Sequence, residues 1–209
     1  MARLIGAKCK LCRAYGEKLF LKGQRCNNDA KCSVTKRSFP PGQHGKRRRK
    51  MSNYGTQLKE KQKAKRIYGI LERQFNKYFK IAERSKGVTG HVLLQMLERR
   101  LDNIIFRLCF AYSRPQARQL VRHNYIYVNN KKVNIPSAML KKGDVIEVRA
   151  NEGTTKRISD LRKELKERPI PKWIEGDKAA LKGTLKGLPA KEDLDFSIQE
   201  QLIVELYSK

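Results

Sequence analysis

Apolar residues recur at helical steps through much of this chain and at strand steps in one short part of it. Between residues 56 and 84, Leu58, Ala64, Ile67, Tyr68, Leu71, Phe75, Tyr78, Phe79 and Ala82 follow one another mostly at intervals of three and four. That spacing predicts a helical stretch with Tyr68, Phe75, Tyr78 and Phe79 in the core. Its other face carries Lys59, Lys61, Lys63, Lys65 and Arg66. Gly87 and Gly90 break the pattern. It resumes in a second helix with Leu93, Leu94, Leu97 and Leu101, and in a third with Ile104, Ile105 and Leu108. Cys109 lies on the apolar face and reads as packing. Residues 1–50 keep neither period for long. Such an arm cannot build a conventional core and needs a clip or a partner.

The most informative stretch is 100–148. Ser113, Arg114, Pro115 and Gln116 read as a capping box with proline in the first turn. The helix that follows carries Arg114, Arg118 and Arg122 at spacing four, a single basic stripe beside Ala117, Leu120 and Val121. A helix N-terminus and a row of guanidinium groups suit a phosphate. Tyr125-Ile126-Tyr127-Val128 alternates as a strand. Asn129-Asn130 is a two-residue turn with a left-handed preference, so a hairpin to Lys132-Val133 is expected. Gly143-Asp144 turns into a further strand, Val145 to Val148. A short charged helix is expected near Asp160 to Glu167, before Pro169 and Pro171. Ser197 with Glu200 reads as another capping box, opening a helix through Ile198, Leu202, Ile203 and Leu206. Glu98 and Asp102 read as surface salt bridges with Arg99 or neighbouring lysines.

Charge narrows the function. Lys and Arg number 48 against 20 acids, a net charge of +28. Such an excess opposes compaction unless a polyanion neutralises it, and nucleic acid is the leading partner. A membrane surface is the rival, but no apolar run reaches spanning length and no lipidation signal is present. The first residues lack the apolar segment of a secretory signal, which points to the cytosol. No catalytic constellation appears: His44, His91 and His123 are scattered, without a paired acid or nucleophile. No small-molecule substrate is implied.

Cysteines in a cytosolic chain point to metal or free thiols before disulfides. Cys9 and Cys12 are separated by two residues, Cys26 and Cys32 by five. Four thiolates suit one tetrahedral zinc ion, which would replace the missing core of the arm. An iron–sulfur cluster on the same ligands and uncoordinated thiols are the alternatives. Lys46-Arg47-Arg48-Arg49-Lys50 is a run of five cations, a solvated tail or an RNA phosphate contact. The total charge favours RNA, with Tyr54 and Gln57 placed to stack or hydrogen-bond. We assign the RNA-facing set as Arg47, Arg48, Arg49, Lys50, Tyr54, Gln57, Lys61, Arg66, Ser113, Arg114, Gln116, Arg118, Gln119, Arg122, His123, Tyr125, Asn129, Lys131 and Lys132.

Several motifs carry a family resemblance: PPGQHG (40–45), YGTQLKEKQKAKRIYGILERQF (54–75), LLQMLERRLDNIIFRL (93–108), SRPQARQLVRH (113–123), VNIP (133–136) and EQLIVELYSK (200–209). Nearly end to end, the chain resembles the bacterial family of small-subunit ribosomal protein four, in its cysteine-bearing, metal-binding branch. The resemblance implies an α+β fold in two pieces. One is a helical domain, 51–98, completed by a C-terminal helix at 197–209. The other is the family's RNA-binding module with short antiparallel strands, 99–165. A metal-clipped arm, 1–50, and an extension, 166–196, packing between the two pieces, complete the chain.

It also implies a function. Members bind small-subunit rRNA at a multi-helix junction of the 5′ domain and nucleate assembly. They contact protein five, which affects decoding accuracy. With proteins three and five they line the mRNA entry path, where Arg47 and Lys50 match the entry-facing positions. Asn124 and Asn130 stand where the family often has glycine, and asparagine is the next-best residue for a left-handed backbone. Two other classes remain to be set aside. A pseudouridine synthase that borrowed the module needs a catalytic domain for which there is no room. A zinc-finger DNA regulator needs tandem fingers or a dimer seam, and neither is present.

Overall fold

The computed structural model describes residues 5–46, 50–165, 168–177, 181–190, 193 and 198–208. Two compact units divide the chain, 1–93 with 196–209, and 94–195.

In the first unit, the arm forms three short helices, α1 (Lys8–Tyr15), α2 (Gln24–Asn27) and α3 (Ser33–Lys36). Left-handed Gly16 stops α1, its N–H donating to the Cys12 and Arg13 carbonyls. The periodic stretch 56–84 is two helices, α4 (Asn53–Ile67) and α5 (Glu72–Arg84). Gly69 separates them with φ of 65°, a turn the apolar spacing conceals. Ser52 Oγ accepts from Gly55 N at 3.2 Å and caps α4. Tyr68, Phe75, Tyr78 and Phe79 are buried as expected.

The C-terminal helix is α10 (Glu200–Tyr207), packed on α4. Its N-cap is Gln199, which makes no side-chain cap bond, and Ser197 lies outside the described residues. Gly90 does not break a helix but sits in the first turn of α6 (Thr89–Glu98). A Cβ there would approach Glu200 Cγ to 2.6 Å, so only glycine lets the two segments close.

The second unit begins within α6 and continues through α7 (Leu101–Arg107) and α8 (Arg114–Arg122). The strands are β1 (Ile126–Val128), β2 (Lys131–Lys132) and β3 (Val145–Val148), followed by α9 (Glu152–Glu164), β4 (Ile174–Asp177) and β5 (Lys182–Leu185). The hairpin turn forms as the sequence predicts, with Asn129 and Asn130 at φ of 48° and 62° and Asn124 also left-handed at 63°. The charged helix begins earlier than expected and ends at Glu164; its N-cap is Asn151, whose side chain accepts from Thr154 N.

The sheet is antiparallel, in the order β2-β1-β3-β5-β4. Strands β4 and β5 come from the stretch read as an extension; β5 pairs directly with the module's β3, and β4 pairs with β5 at the far edge. Ile104, Ile105, Phe106, Leu108, Phe110, Ala117 and Val121 from the helices meet Ile126, Ile146, Val148 and Leu185 from the sheet in one core. Burying each large side chain contributes roughly 1.5–3 kcal/mol.

Candidate nucleic-acid interface

α7 is buried on every side, polar residues included. Polar groups without a solvent face must pair internally, and they do. The Glu98 carboxylate accepts from Arg107 Nε at 3.0 Å and Nη2 at 2.8 Å, and from Asn103 Nδ2 at 2.7 Å. Asn103 Oδ1 in turn accepts from Arg114 Nε at 2.8 Å. Arg100, fully buried, donates twice to Asp102, at 3.0 and 2.6 Å. Arg118 Nη1 reaches the same carboxylate at 3.3 Å. Glu98 and Asp102 are therefore not surface salt bridges. They are the anionic centres of a buried network that the sequence reading missed. The available signal was acids and arginines set among Leu101, Ile104, Ile105 and Phe106, a run with no polar face to occupy.

This network corrects the basic stripe on α8. An α-helix turns about 100° per residue, so each step of four advances about 40°. Arg114 starts on the flank of Ala117 and Val121 and is 6% exposed, its guanidinium 4.3 Å from the centre of the Phe106 ring. Arg118 is half-turned and held by Asp102. Arg122, two steps on, is exposed, as is Gln119. The row drifts from core to solvent rather than presenting three guanidinium groups to one anion.

The capping box is also altered. Ser113 is buried and makes no side-chain cap bond. Gln116 instead accepts from Tyr112 N at 2.9 Å, one residue ahead of the cap.

After α8 come exposed His123 and half-buried Tyr125, their rings 6.0 Å apart. Lys131 and Lys132 are exposed on the edge strand β2. Asn129 serves the fold: its side chain donates to Asp144 and accepts from Val145 N, each at 2.9 Å, tying the hairpin turn to β3. Arg149 was not among the predicted residues. It donates to Asn130 Oδ1 at 2.6 Å and to Glu147, and lies 4.8 Å over the Tyr127 ring. Exposed Gln119, Arg122, His123, Lys131 and Lys132 are predicted polar groups and cations of the module that could meet a phosphate.

In the first unit, Arg47, Arg48 and Arg49 lie outside the described residues, while Lys50 and Tyr54 are exposed. Gln57 is turned inward and donates to Glu205 of α10 at 2.8 Å. Lys61 and Lys65 each donate to Glu72 at 2.8 Å, and the Tyr207 hydroxyl donates to it at 3.0 Å. Burial would raise the Glu72 carboxyl, but these three donors outweigh it and hold it at about 2. Burial and the bond to Glu72 push the Tyr207 hydroxyl up. Lys63 pairs with Glu17 of the arm at 2.8 Å, and Arg66 lies beside Tyr15. The lysine face of α4 thus holds the arm and α10 in place and is not a free polycationic surface.

Three of the four arm cysteines, Cys12, Cys26 and Cys32, are buried, and Cys9 is partly so. Cys12 lies within electrostatic range of the other three. Its thiol is raised by burial, opposed by a backbone bond from Leu19. Lys22 N donates to Cys26 Sγ at 3.3 Å. Cys32, despite burial, is lowered by the backbone of Val34 and Thr35. N–H groups aimed at sulfur favour the thiolate, the ligating form. Among the described residues, no three His, Cys, Asp or Glu side chains stand in metal-ligating geometry. None of the described helices is long and apolar enough to cross a membrane.

His91, read from the sequence as having no paired acid, meets the Glu200 carboxylate of α10 at 3.3 Å. An α+β fold with an antiparallel sheet and a cationic edge, in a chain of net charge +28, defines a class: a basic nucleic-acid-binding protein. Comparison with known proteins sharpens it. Residues 3–98 match the model for the ribosomal protein S4/S9 N-terminal domain, and residues 99–146 match the S4 domain. The chain is similar to the small ribosomal subunit protein uS4 of Citrifermentans bemidjiense, 57% identical over 209 residues and the whole of both chains. The uS4 proteins of Geobacter sp. strain M21 and Ruminiclostridium cellulolyticum are 56% and 55% identical, again over the full length of both. The chain belongs to the S4 family of small-subunit ribosomal proteins. It is a structural constituent of the small ribosomal subunit in the cytoplasm, and its relatives are not enzymes.

Proposed function

We propose that the chain binds small-subunit rRNA through cations the fold leaves outward, nucleating 5′-domain assembly at a multi-helix junction. The observation that carries this is the division of its basic residues. Arg100, Arg107, Arg114 and Arg118 are committed to internal partners, while Lys50, Arg122, Lys131 and Lys132 are left at the surface. A charge of +28 with that division is suited to a folded polyanion read by shape and phosphate position. In the assembled subunit the chain contacts protein five, which ties it to decoding accuracy. With proteins three and five it lines the mRNA entry path, where Arg47 and Lys50 meet the message. Family membership supports these contacts.

The arm takes one zinc ion on Cys9, Cys12, Cys26 and Cys32. Supporting this are the placement of the other three thiols within electrostatic range of Cys12 and the backbone N–H groups directed at Cys12, Cys26 and Cys32. Bound there, zinc would supply four strong bonds to a segment with little apolar core.

Titration of a 5′-domain rRNA fragment at several salt concentrations tests the RNA reading. Affinity should fall roughly 0.7–0.9 log units per log unit of salt for each phosphate engaged. A salt-independent affinity would contradict it. Native mass spectrometry with and without chelator tests the metal: one zinc mass lost on chelation supports it, and an unchanged apo mass refutes it.

A further inference from the structure

The motif PPGQHG, residues 40–45, carries part of the family resemblance and lies between the cysteine-bearing helices and the basic run. Phe39 opens this loop and Lys46 closes it. Pro40 and Pro41 have no N–H, so this end of the loop cannot hold itself with backbone donors. Its carbonyls are taken by Arg13, from the last turn of α1. Arg13 Nε donates to Phe39 O at 3.1 Å and Nη2 to Pro40 O at 3.4 Å. The same guanidinium lies 5.0 Å from the centre of the Phe39 ring, and Lys46 Nζ lies 5.7 Å from it. One aromatic ring thus links a cation of the cysteine-bearing helix to the first cation of the basic run. The loop is closed tightly: Gly45 N donates to Gly42 O at 3.3 Å, and a Cβ on Gly45 would collide with the Pro40 carbonyl oxygen. Arg13 and Phe39 are partly buried, whereas Gln43, His44 and Lys46 are exposed.

We propose that Arg13 is a positioning residue for RNA binding. It clasps loop 39–46 through the Phe39 and Pro40 carbonyls and the Phe39 ring. Lys46, with Gln43 and His44 at the loop tip, then meets RNA as a preformed surface. A loop already ordered does not lose its conformational freedom on binding, and that saving is gained as affinity. The inference rests on the reading that the arm's cations contact rRNA.

A double-mutant cycle in the full chain tests it, with the 5′-domain rRNA fragment as ligand. Lys46→Ala should weaken binding roughly three- to tenfold and reduce the salt slope by about 0.7–0.9. Arg13→Ala should weaken it by a similar or larger factor. The double variant should then lie within roughly twofold of Arg13→Ala alone, because the clasp and the cation act as a unit. Arg13→Lys separates clasp from contact: it keeps the charge but not the paired donation, so it should remain as weak as Arg13→Ala. Hydrogen exchange of free Arg13→Ala should quicken at Gly42 to Gly45 and stay unchanged in α1. Were α1 to loosen as well, Phe39→Leu, which removes only the ring, should still couple to Lys46→Ala. Multiplicative losses, or full affinity in Arg13→Lys, would overturn the inference. No effect of Lys46→Ala would defeat the reading beneath it, and the inference with it.

Discussion

The arginines of the second unit and the lysines and arginines of the arm carry the same formal charge but do different work. In the second unit, Arg100 and Arg107 are buried with bidentate carboxylate partners; Arg114 joins the Glu98 cluster through Asn103, and Arg118 joins Arg100 on Asp102. In the arm and at the sheet edge, Lys46, Lys50, Lys131 and Lys132 are exposed. The count of 48 Lys and Arg therefore overstates the cationic surface. Arg100, Arg107, Arg114 and Arg118 stand around Glu98 and Asp102 inside the fold, and the cations outside it are available to RNA.

Removing an anion from the buried network should have the largest effect. Glu98→Ala removes the buried carboxylate to which Arg107 and Asn103 donate and should cost about 3–5 kcal/mol in urea unfolding. A loss below 1 kcal/mol would mean that water replaces the carboxylate. Arg118→Ala, at the partly buried end of the network, should cost about 1–2 kcal/mol of stability, since Asp102 keeps Arg100. This revises what the spacing of Arg114, Arg118 and Arg122 suggests: removing all three would weaken RNA binding partly by unfolding the module.

The Glu72 cluster gives a pH-dependent counterpart in the first unit. Its carboxyl sits at about 2 against an ordinary 4.5, so it stabilises the fold fully above 4.5 and loses this as pH falls toward 2. Glu72 is 46% exposed, which screens the pairs, and the contribution is about 1 kcal/mol or less. Acid titration of Glu72→Gln followed by circular dichroism should show a flatter loss of α10 docking than the parent protein. An identical acid profile would remove Glu72 from that dock. Smallest of all, Ser113→Ala should change stability by less than about 0.5 kcal/mol, since the hydroxyl caps nothing. A loss near that of a true N-cap, about 1 kcal/mol, would restore the capping box.

Helices α4 to α10, the Asn129-Asn130 hairpin and the buried aromatics of α4 and α5 are legible in the sequence because each follows a single period or a turn preference, unlike the short arm helices α1 to α3. Strands β4 and β5 are not. Their register pairs Gly176 with Gly183, facing the core. A Cβ at Gly176 would sit 3.2 Å from Leu108 Cδ2, and one at Gly183 would sit 3.1 Å from Leu108 Cγ. Leu108 fills the space that inward side chains would occupy, so these strands show glycine where a half-buried strand shows alternating apolar residues. The RNA-facing set was legible as a composition but not as a surface. Gln57, Arg114 and Arg118 read as polar and therefore outward, and only the tertiary partners Glu205, Asn103 and Asp102 turn them inward.

The salt dependence of rRNA binding compares the two kinds of cation most directly. Arg122→Ala/Lys131→Ala/Lys132→Ala should lower the log–log salt slope by about 2 at unchanged stability, while Arg118→Ala leaves the slope intact. A slope that drops for Arg118→Ala and holds for the triple variant would show that the inward arginines carry the contact, and the division of charge drawn here would be wrong.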